Sequence, residues 1–285
     1  MSDPKNVLVT GCSSGFGLII ATHLASCGHK VIATMRNLEK QGDLLETAKE
    51  LQVNIETLHL DVTDNSSISV VKDHLASNYG NLDVLINNAG FGMAGFFEDL
   101  TENDIRNQME TNFFGVQNVT RQMLPLLKQK AGSKIINISS VSGFTASPAF
   151  SAYCSSKWAL EAFTESLRFE LRFFGVDVLL IEPGSYKTKI FFENARVATN
   201  FYNKESSYYQ LSQHLKNTID SSISKNTKDP KDIARLAEQL INQKNPPFRN
   251  IPDLSSKLIY IFRKYSPFWL YSWIIEKAML QKCKQ

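Results

Sequence analysis

Cysteine is scarce: four residues in 285 (Cys12, Cys27, Cys154 and Cys283), none in CxxC spacing. That density excludes a disulfide scaffold, and reduced, packed thiols are expected. No His cluster accompanies them in metal-ligand spacing, so no metal site is expected. An excess of charge is lacking too. The formal net charge is +3, and it is unevenly placed. From Lys257 to Gln285 six basic residues (Lys257, Arg263, Lys264, Lys277, Lys282, Lys284) face one acid, Glu276, leaving the preceding chain slightly acidic. A nucleic-acid binder carries its basic stripe on the main domain, so nucleic acid is not expected as a partner. Strand pattern begins at Asn6, with no charged leader, apolar run and cleavage site before it. A cytoplasmic location is the expectation.

What is present is a regular alternation. Apolar, β-branched runs recur at Val7 to Val9, Lys30 to Thr34, Ile55 to Leu60, Leu82 to Ile86, Lys134 to Ile138 and Val176 to Ile181, and a seventh is placed near Phe248 to Ile251. Helical stretches such as Phe16 to Cys27, Ser66 to Tyr79 and Tyr153 to Phe174 lie between them. Strands and helices alternating in this way predict an α/β fold with a doubly wound parallel sheet. The alternation stops after Glu182. Residues 185–227 are polar with interspersed aromatics (Phe191, Phe192, Phe201, Tyr202, Tyr208, Tyr209) and show no clear strand character. A connection of that length past a strand's carboxyl end is read as a substrate lid, with an ordinary surface excursion as the alternative.

The run Val7-Leu8-Val9-Thr10-Gly11-Cys12-Ser13-Ser14-Gly15-Phe16-Gly17 passes from a strand through a glycine-rich turn into a helix. Gly11 suits a tight turn, Gly15 a close backbone approach to a pyrophosphate, and Gly17 close helix packing. Three residues, not one, separate the first two glycines, a departure from the general dinucleotide fingerprint. The second strand ends Ala33-Thr34-Met35-Arg36-Asn37, with no acid before Glu39. An NAD site places an acid there for the ribose 2′-hydroxyl; Arg36 offers a planar fork suited to a 2′-phosphate. NADP(H) is therefore favoured over NAD(H). The competing reading of Arg36 is a cap on a solvent-facing strand end.

Tyr153 and Lys157 are four apart at the start of a helical run and so share one face. A phenol near pKa 10 is a usable acid, and an adjacent ammonium is expected to lower that value, so Tyr153 exchanges a proton with a substrate oxygen while Lys157 tunes it. Ser140, just past the strand Lys134 to Ile138, is placed to hydrogen-bond that oxygen, with Ser139 the neighbouring alternative. Asn112 supplies an amide for a water linking Lys157 to solvent, or else satisfies buried backbone groups.

Thr10 to Gly17, Asp61 after the third strand, Asn87 to Gly90, Asn112, Ser140, Tyr153 with Lys157, and Pro183-Gly184 followed by Thr188 stand in one order. Over roughly the first 190 residues this order resembles the classical short-chain dehydrogenase/reductases. The segments around Thr10 to Gly15, Ala33 to Asn37 and Tyr153 to Glu161 look similar to estrogenic 17β-hydroxysteroid dehydrogenases and photoreceptor retinol dehydrogenases. The resemblance implies a Rossmann fold and hydride transfer between NADP(H) and an apolar carbonyl or secondary alcohol. Gly11, Ser13, Ser14, Gly15, Phe16, Gly17 and Arg36 would then hold the phosphates and ribose, and Asp61 and Val62 the adenine. Asn88, Ala89 and Gly90 would take the adenosine side, and Pro183, Gly184 and Thr188 the nicotinamide end. Tyr153 would be the acid/base, Ser140 the orienter, Lys157 the tuner and ribose ligand, and Asn112 the relay anchor. Homodimers or homotetramers are what the resemblance implies, with the Tyr153 to Phe174 helix as a contact.

The main domain is placed at residues 1–250 and an extension at 251–285. In the extension Leu258, Ile259, Ile261, Phe262 and Tyr265 recur at helical spacing, and after Pro267 comes Phe268-Trp269-Leu270-Tyr271-Ser272-Trp273-Ile274-Ile275. That run is far short of the ~20 residues needed to cross a bilayer. It lies in a membrane interface, or packs over the substrate opening or a partner subunit. Two other function classes compete: a dinucleotide-binding sensor or scaffold without turnover, against which the retained Tyr/Lys pair argues, and a nucleotide-sugar epimerase or dehydratase, whose glycine spacing and larger second domain are absent.

Overall fold

A computed structural model of the chain describes residues 3–186, 196–224 and 227–280. Seven parallel strands form one sheet, in the order β3 (Glu56–His59), β2 (Lys30–Met35), β1 (Asn6–Thr10), β4 (Val84–Asn87), β6 (Lys134–Ile138), β7 (Asp177–Ile181) and β9 (Arg249–Asn250). In chain order the early elements are β1 (Asn6–Thr10), α1 (Gly15–Ser26), β2 (Lys30–Met35), α2 (Gly42–Glu50), β3 (Glu56–His59), α3 (Asn65–Tyr79) and β4 (Val84–Asn87). Then come β5 (Met93–Ala94), α4 (Glu102–Met109), α5 (Gly115–Leu127), β6 (Lys134–Ile138), α6 (Ser151–Leu171) and β7 (Asp177–Ile181). Beyond them lie β8 (Arg196–Val197), α7 (Tyr209–Ser224), α8 (Lys231–Asn242), β9 (Arg249–Asn250), α9 (Leu254–Tyr265) and α10 (Phe268–Leu280). The short strand expected near Phe248 to Ile251 is β9, paired with β7 at Leu180↔Arg249 and Ile181↔Asn250.

Strand residues alternate between two cores because successive side chains point to opposite sheet faces. Val7 and Val9 join Val31, Ala33, Ile86 and Ile136 beneath α1 and α8. Leu8 joins Ile32, Leu85, Ile135 and Val178 beneath α3, α5 and α6. A sheet covered on both faces needs largely apolar strands, and the central strands β1, β2, β4, β6 and β7 are mostly apolar, with Asn87 and Asn137 as buried exceptions that hydrogen-bond each other.

Local chemistry sets the helix ends. Asp64 caps α3 by accepting from Ser66 N at 2.9 Å, and α4 opens on a reciprocal capping box between Thr101 and Asp104. Between α4 and α5 the turn Glu110–Phe114 is π-helical, and it carries Asn112. β1 pairs with β2 on one side and β4 on the other. The sheet order thus reverses at β1, and the crevice past the carboxyl ends of β1 and β4 is where an open α/β sheet binds ligands.

In the described part of 185–227, where the sequence shows no clear strand character, the only strand is two residues long. β8 pairs with β5 in parallel, and α7 follows. Phe201 is buried and Tyr208 stacks on Phe96 at 4.5 Å between ring centroids, so these aromatics anchor the segment. Phe191 and Phe192 lie outside the described residues.

Candidate active site

The glycine-rich turn lies at the reversal point. Gly11 has φ +73°, and a Cβ there would stand 2.8 Å from Ala89 Cα, so the turn after β1 nearly touches the segment after β4. At Gly17 a Cβ would stand 2.2 Å from Gly11 O, which is why α1 starts so tightly against the turn. Asn88 fastens the two segments. Its Nδ2 donates to Thr10 O (2.8 Å) and Gly11 O (3.0 Å), while Thr10 Oγ1 accepts from the N–H groups of Asn88 and Ala89. The Asn88 side chain is therefore engaged in holding the turn, while Ala89 and Gly90 line the cleft.

That cleft is lined by Gly11, Ser13, Ser14, Gly15, Phe16, Arg36, Asp61, Val62, Asn88, Ala89 and Gly90, bringing together eleven of the expected binding residues. Arg36 and Lys40 stand along the same wall. Arg36 Nε is 4.0 Å from Asp61 Oδ2 and its side chain is largely exposed. Asp61 Oδ1 accepts from Thr63 N and Thr63 Oγ1, fixing the turn into α3. The residues fit a dinucleotide: open space stands at Gly15, φ +61°, before the N-terminus of α1, where free N–H groups favour an anion.

The catalytic candidates converge across the crevice. Ser140 caps the turn after β6, its Oγ accepting from Ser142 N at 3.2 Å, and its hydroxyl lies close enough to the Tyr153 phenol at the start of α6 to act on its acidity. Ser139 is turned away into the protein, its Oγ donating to Glu161 Oε1 at 2.8 Å, so Ser140 is the serine at the site. Lys157 is buried; its Nζ donates to Ile138 O at 2.9 Å and stands 5.9 Å from the Tyr153 ring centroid. The expectation of an acidified phenol is corrected. Burial pushes Tyr153 up to about 12, with the nearby Ser140 hydroxyl opposing it. Burial also draws Lys157 down to about 8, with Glu161 opposing. Removal from water disfavours both charged forms, and at 5.9 Å the ammonium does not reverse it. The resting phenol is a proton donor.

Asn112 is also placed differently from the relay reading. Its Oδ1 accepts from Phe91 N, and its Nδ2 donates to Phe91 O and Ser156 Oγ, so both amide hydrogens are engaged. It ties the loop after β4 to α6, one residue before Lys157. Pro183 O accepts from Val141 N, locking the turn after β7 to the one carrying Ser140. Gly184 lies beneath α9: a Cβ there would stand 2.3 Å from Ser256 Oγ. Thr188 lies outside the described residues.

Sequence reasoning missed several groups. Beneath the site Glu161 Oε2 accepts from Arg249 Nη1 at 2.5 Å, and Arg249 also pairs with Glu182. Burial first, then the neighbouring Glu161 charge, pushes Glu182 up to about 8 against the pull of Arg249. Glu161 follows Lys157 by four residues, so helix spacing could have flagged it; Arg249 and Glu182 come from distant strands. The tail closes over the same loop. Tyr271 Oη donates to Ala146 O at 3.0 Å, and Tyr260 meets Phe144 edge-on at 5.1 Å. These contacts place α9 and α10 against the segment Phe144 to Ala146 that follows Ser140.

Residues 5–197 match the short chain dehydrogenase family. The protein belongs to that family. Among relatives, this short-chain dehydrogenase is 40% identical to the uncharacterized oxidoreductase YusZ of Bacillus subtilis (strain 168), over 96% of this chain and 98% of that one. It is 39% identical to human 17-beta-hydroxysteroid dehydrogenase type 1 over 64% of this chain and 57% of the other. To bovine retinol dehydrogenase 8 it is 33% identical, over 86% and 80%. A crystal structure of a short-chain dehydrogenase from Streptomyces avermitilis superposes with TM-score 0.79 at 31% identity, covering 99% of this chain and 98% of that one. As a short-chain dehydrogenase the chain is an NAD(P)-dependent oxidoreductase. Among its described residues no helix is long and apolar enough to cross a membrane.

Proposed function

We propose that the protein reduces the carbonyl group of an apolar, steroid-, retinoid- or lipid-like substrate with NADPH, or runs the reverse oxidation of the alcohol. The observation that carries the reading is the Tyr153 phenol beside buried Lys157, whose Nζ is held by Ile138 O at 2.9 Å and stands 5.9 Å from the Tyr153 ring, with Ser140 at the neighbouring turn. Gly11, Ser13, Ser14, Gly15, Phe16 and Gly17 would hold the phosphates, Asp61, Val62, Ala89 and Gly90 the adenosine, and Lys157, Pro183, Gly184 and Thr188 the nicotinamide end. A nicotinamide dinucleotide bound there supplies or accepts the hydride. Two cations, Arg36 and Lys40, border the wall where a 2′-phosphate would lie, and this favours NADP(H) over NAD(H).

Tyr153 donates its proton to the substrate oxygen as the carbon is reduced, and Ser140 orients that oxygen by hydrogen bonding. In the oxidative direction the phenolate takes the alcohol proton. Lys157, buried and held by Ile138 O, offers its positive charge to that phenolate. Asn112 keeps α6 and the loop after β4 in register. A panel of hydrophobic ketones, aldehydes and alcohols, followed by absorbance of the reduced nicotinamide, tests the reading; no turnover across the panel with the cofactor bound would favour a dinucleotide-binding sensor.

Two surfaces support partner proposals. Exposed Trp158, Phe169 and Phe173 on or just after α6 suit a homo-oligomer contact. On α9 and α10, Leu258, Ile261, Tyr265, Phe268, Trp269 and Trp273 are exposed among Lys257, Arg263, Lys264 and Lys277, a combination suited to the surface of an anionic bilayer. Its position beside the catalytic loop agrees with a lipophilic substrate.

A further inference from the structure

α1 begins at the cleft and, with 12 residues at about 1.5 Å rise each, ends near the strands' opposite edge, roughly 18 Å away. There it packs beside α8 over the same core. Three side chains that the reaction does not use meet at this junction: His23 in the last turn of α1, Cys27 at its C-cap, and Glu238 on α8. His23 Nε2 is 2.8 Å from Glu238 Oε2 and 3.8 Å from Cys27 Sγ, and the three ligand atoms lie within 4.8 Å of one another. His23 and Cys27 are four apart and so share a helix face. The third group comes from 215 residues beyond His23. The sequence offered no His cluster beside the cysteines; this group forms only when α1 and α8 pack together.

The distances suit a small tetrahedral ion. Bonds of about 2.3 Å to sulfur and 2.0–2.2 Å to nitrogen and oxygen hold S and N roughly 3.6 Å apart and N and O roughly 3.4 Å apart. The Cys27–His23 pair is already near that spacing. Glu238 has to withdraw from His23 by about half an ångström and come within roughly 3.6 Å of Cys27 Sγ, a shift available to a partly exposed, flexible side chain. The C-terminus of α1 directs partial negative charge at the same place, which favours a cation. A second observation concerns His29, two residues past Cys27. It is 5% exposed, its Nδ1 accepts from Lys5 N, and its Nε2 has no hydrogen-bond partner.

We propose that His23, Cys27 and Glu238 form a binding site for a divalent transition ion of the zinc type, joining α1 to α8 with a fourth position open to water. One thiolate, one imidazole and one carboxylate form a borderline-soft set that discriminates against Mg²⁺ and Ca²⁺. The site lies on the far side of the fold from Tyr153, and its role is to staple the first and last covering helices of one face. It stands independently of the proposed substrate.

The test uses the full, untagged chain, stripped with a chelator and titrated with Co²⁺ as the probe. One equivalent is expected to bind, with near-ultraviolet thiolate-to-cobalt charge transfer and the visible bands of a four-coordinate ion, and Zn²⁺ is expected to displace it. Cys27→Ser removes the charge-transfer band, and Glu238→Gln weakens binding at least about tenfold. Cys283→Ala, which removes the thiol of the tail, leaves the spectrum unchanged. A native chain without the thiolate band, a band that survives Cys27→Ser, or one lost only with Cys283→Ala would overturn the proposal. Circular dichroism checks each variant; should Cys27→Ser fail to fold, His23→Gln carries the same test, with retention of the native cobalt spectrum counting against the site.

Discussion

Lys157 donates from Nζ to Ile138 O at 2.9 Å and holds its ammonium 5.9 Å from the ring of Tyr153, joining the end of β6 to the first turns of α6. Burial raises the Tyr153 phenol to about 12, with the nearby Ser140 hydroxyl opposing it, so the group stays protonated at neutral pH and acts first as an acid. Tyr153→Phe removes the donated proton and little else. Turnover of a carbonyl substrate is expected to fall by about 10²–10⁴-fold, with NADPH affinity nearly unchanged in a fluorescence titration. Retained turnover would refute the assignment of Tyr153.

Arg36 and Lys40 border the wall of the cleft near Asp61. Arg36→Asp replaces a cation with an anion suited to a ribose 2′-hydroxyl. The ratio of kcat/KM for NADPH over NADH is expected to drop by about 10- to 100-fold, the scale of one charged hydrogen bond. An unchanged ratio would show that another group reads the phosphate.

At Gly17 an added methyl would stand 2.2 Å from Gly11 O and 2.4 Å from Asn88 Nδ2. The first of these is backbone within a turn that Asn88 itself fastens, so it has little room to yield. Gly17→Ala is expected to cost about 1–3 kcal/mol in urea unfolding and to weaken dinucleotide binding. Native stability and affinity in this variant would contradict the packing described.

The buried chain Glu161–Arg249–Glu182 makes stability depend on pH. Glu182 is raised from 4.5 to about 8, so the folded protein keeps a proton that the unfolded chain releases near 4.5. Its stabilising contribution is complete below the unfolded value and is lost as pH rises through about 8. Glu182→Gln keeps the neutral side chain and should flatten that decline in urea midpoints measured across the range. Arg249→Met, which strands the acids without their cation, is expected to destabilise by about 3–5 kcal/mol near neutral pH.

The exposed Trp269 and Trp273 of α10 face solvent among basic residues. Binding to anionic liposomes is expected for the full chain and should be lost on deleting Lys257 to Gln285. The milder Trp269→Gln/Trp273→Gln pair should weaken it while leaving turnover of a water-soluble carbonyl intact. Equal sedimentation with liposomes by native and truncated chains would remove the membrane proposal.

By itself the sequence determined the alternation of strands and helices, the turn at Gly11 to Gly17, and the Tyr153/Lys157 face of α6, because each follows from a local period or from a residue with a restricted backbone. It also carried Ser140, although Ser139 stayed open beside it; only the turn into Glu161 separated the two hydroxyls. Tertiary structure alone decided what depends on distant neighbours. Burial, not the nearby ammonium, governs the Tyr153 phenol, and the hydrogen bonds that engage Asn112 come from Phe91 and Ser156. The Arg249 bridge and the meeting of Glu238 with His23 and Cys27 each need strands or helices far apart in the chain to pack side by side. Dielectric surroundings and long-range contacts have no period in a linear sequence, so they become readable only when the sheet is assembled.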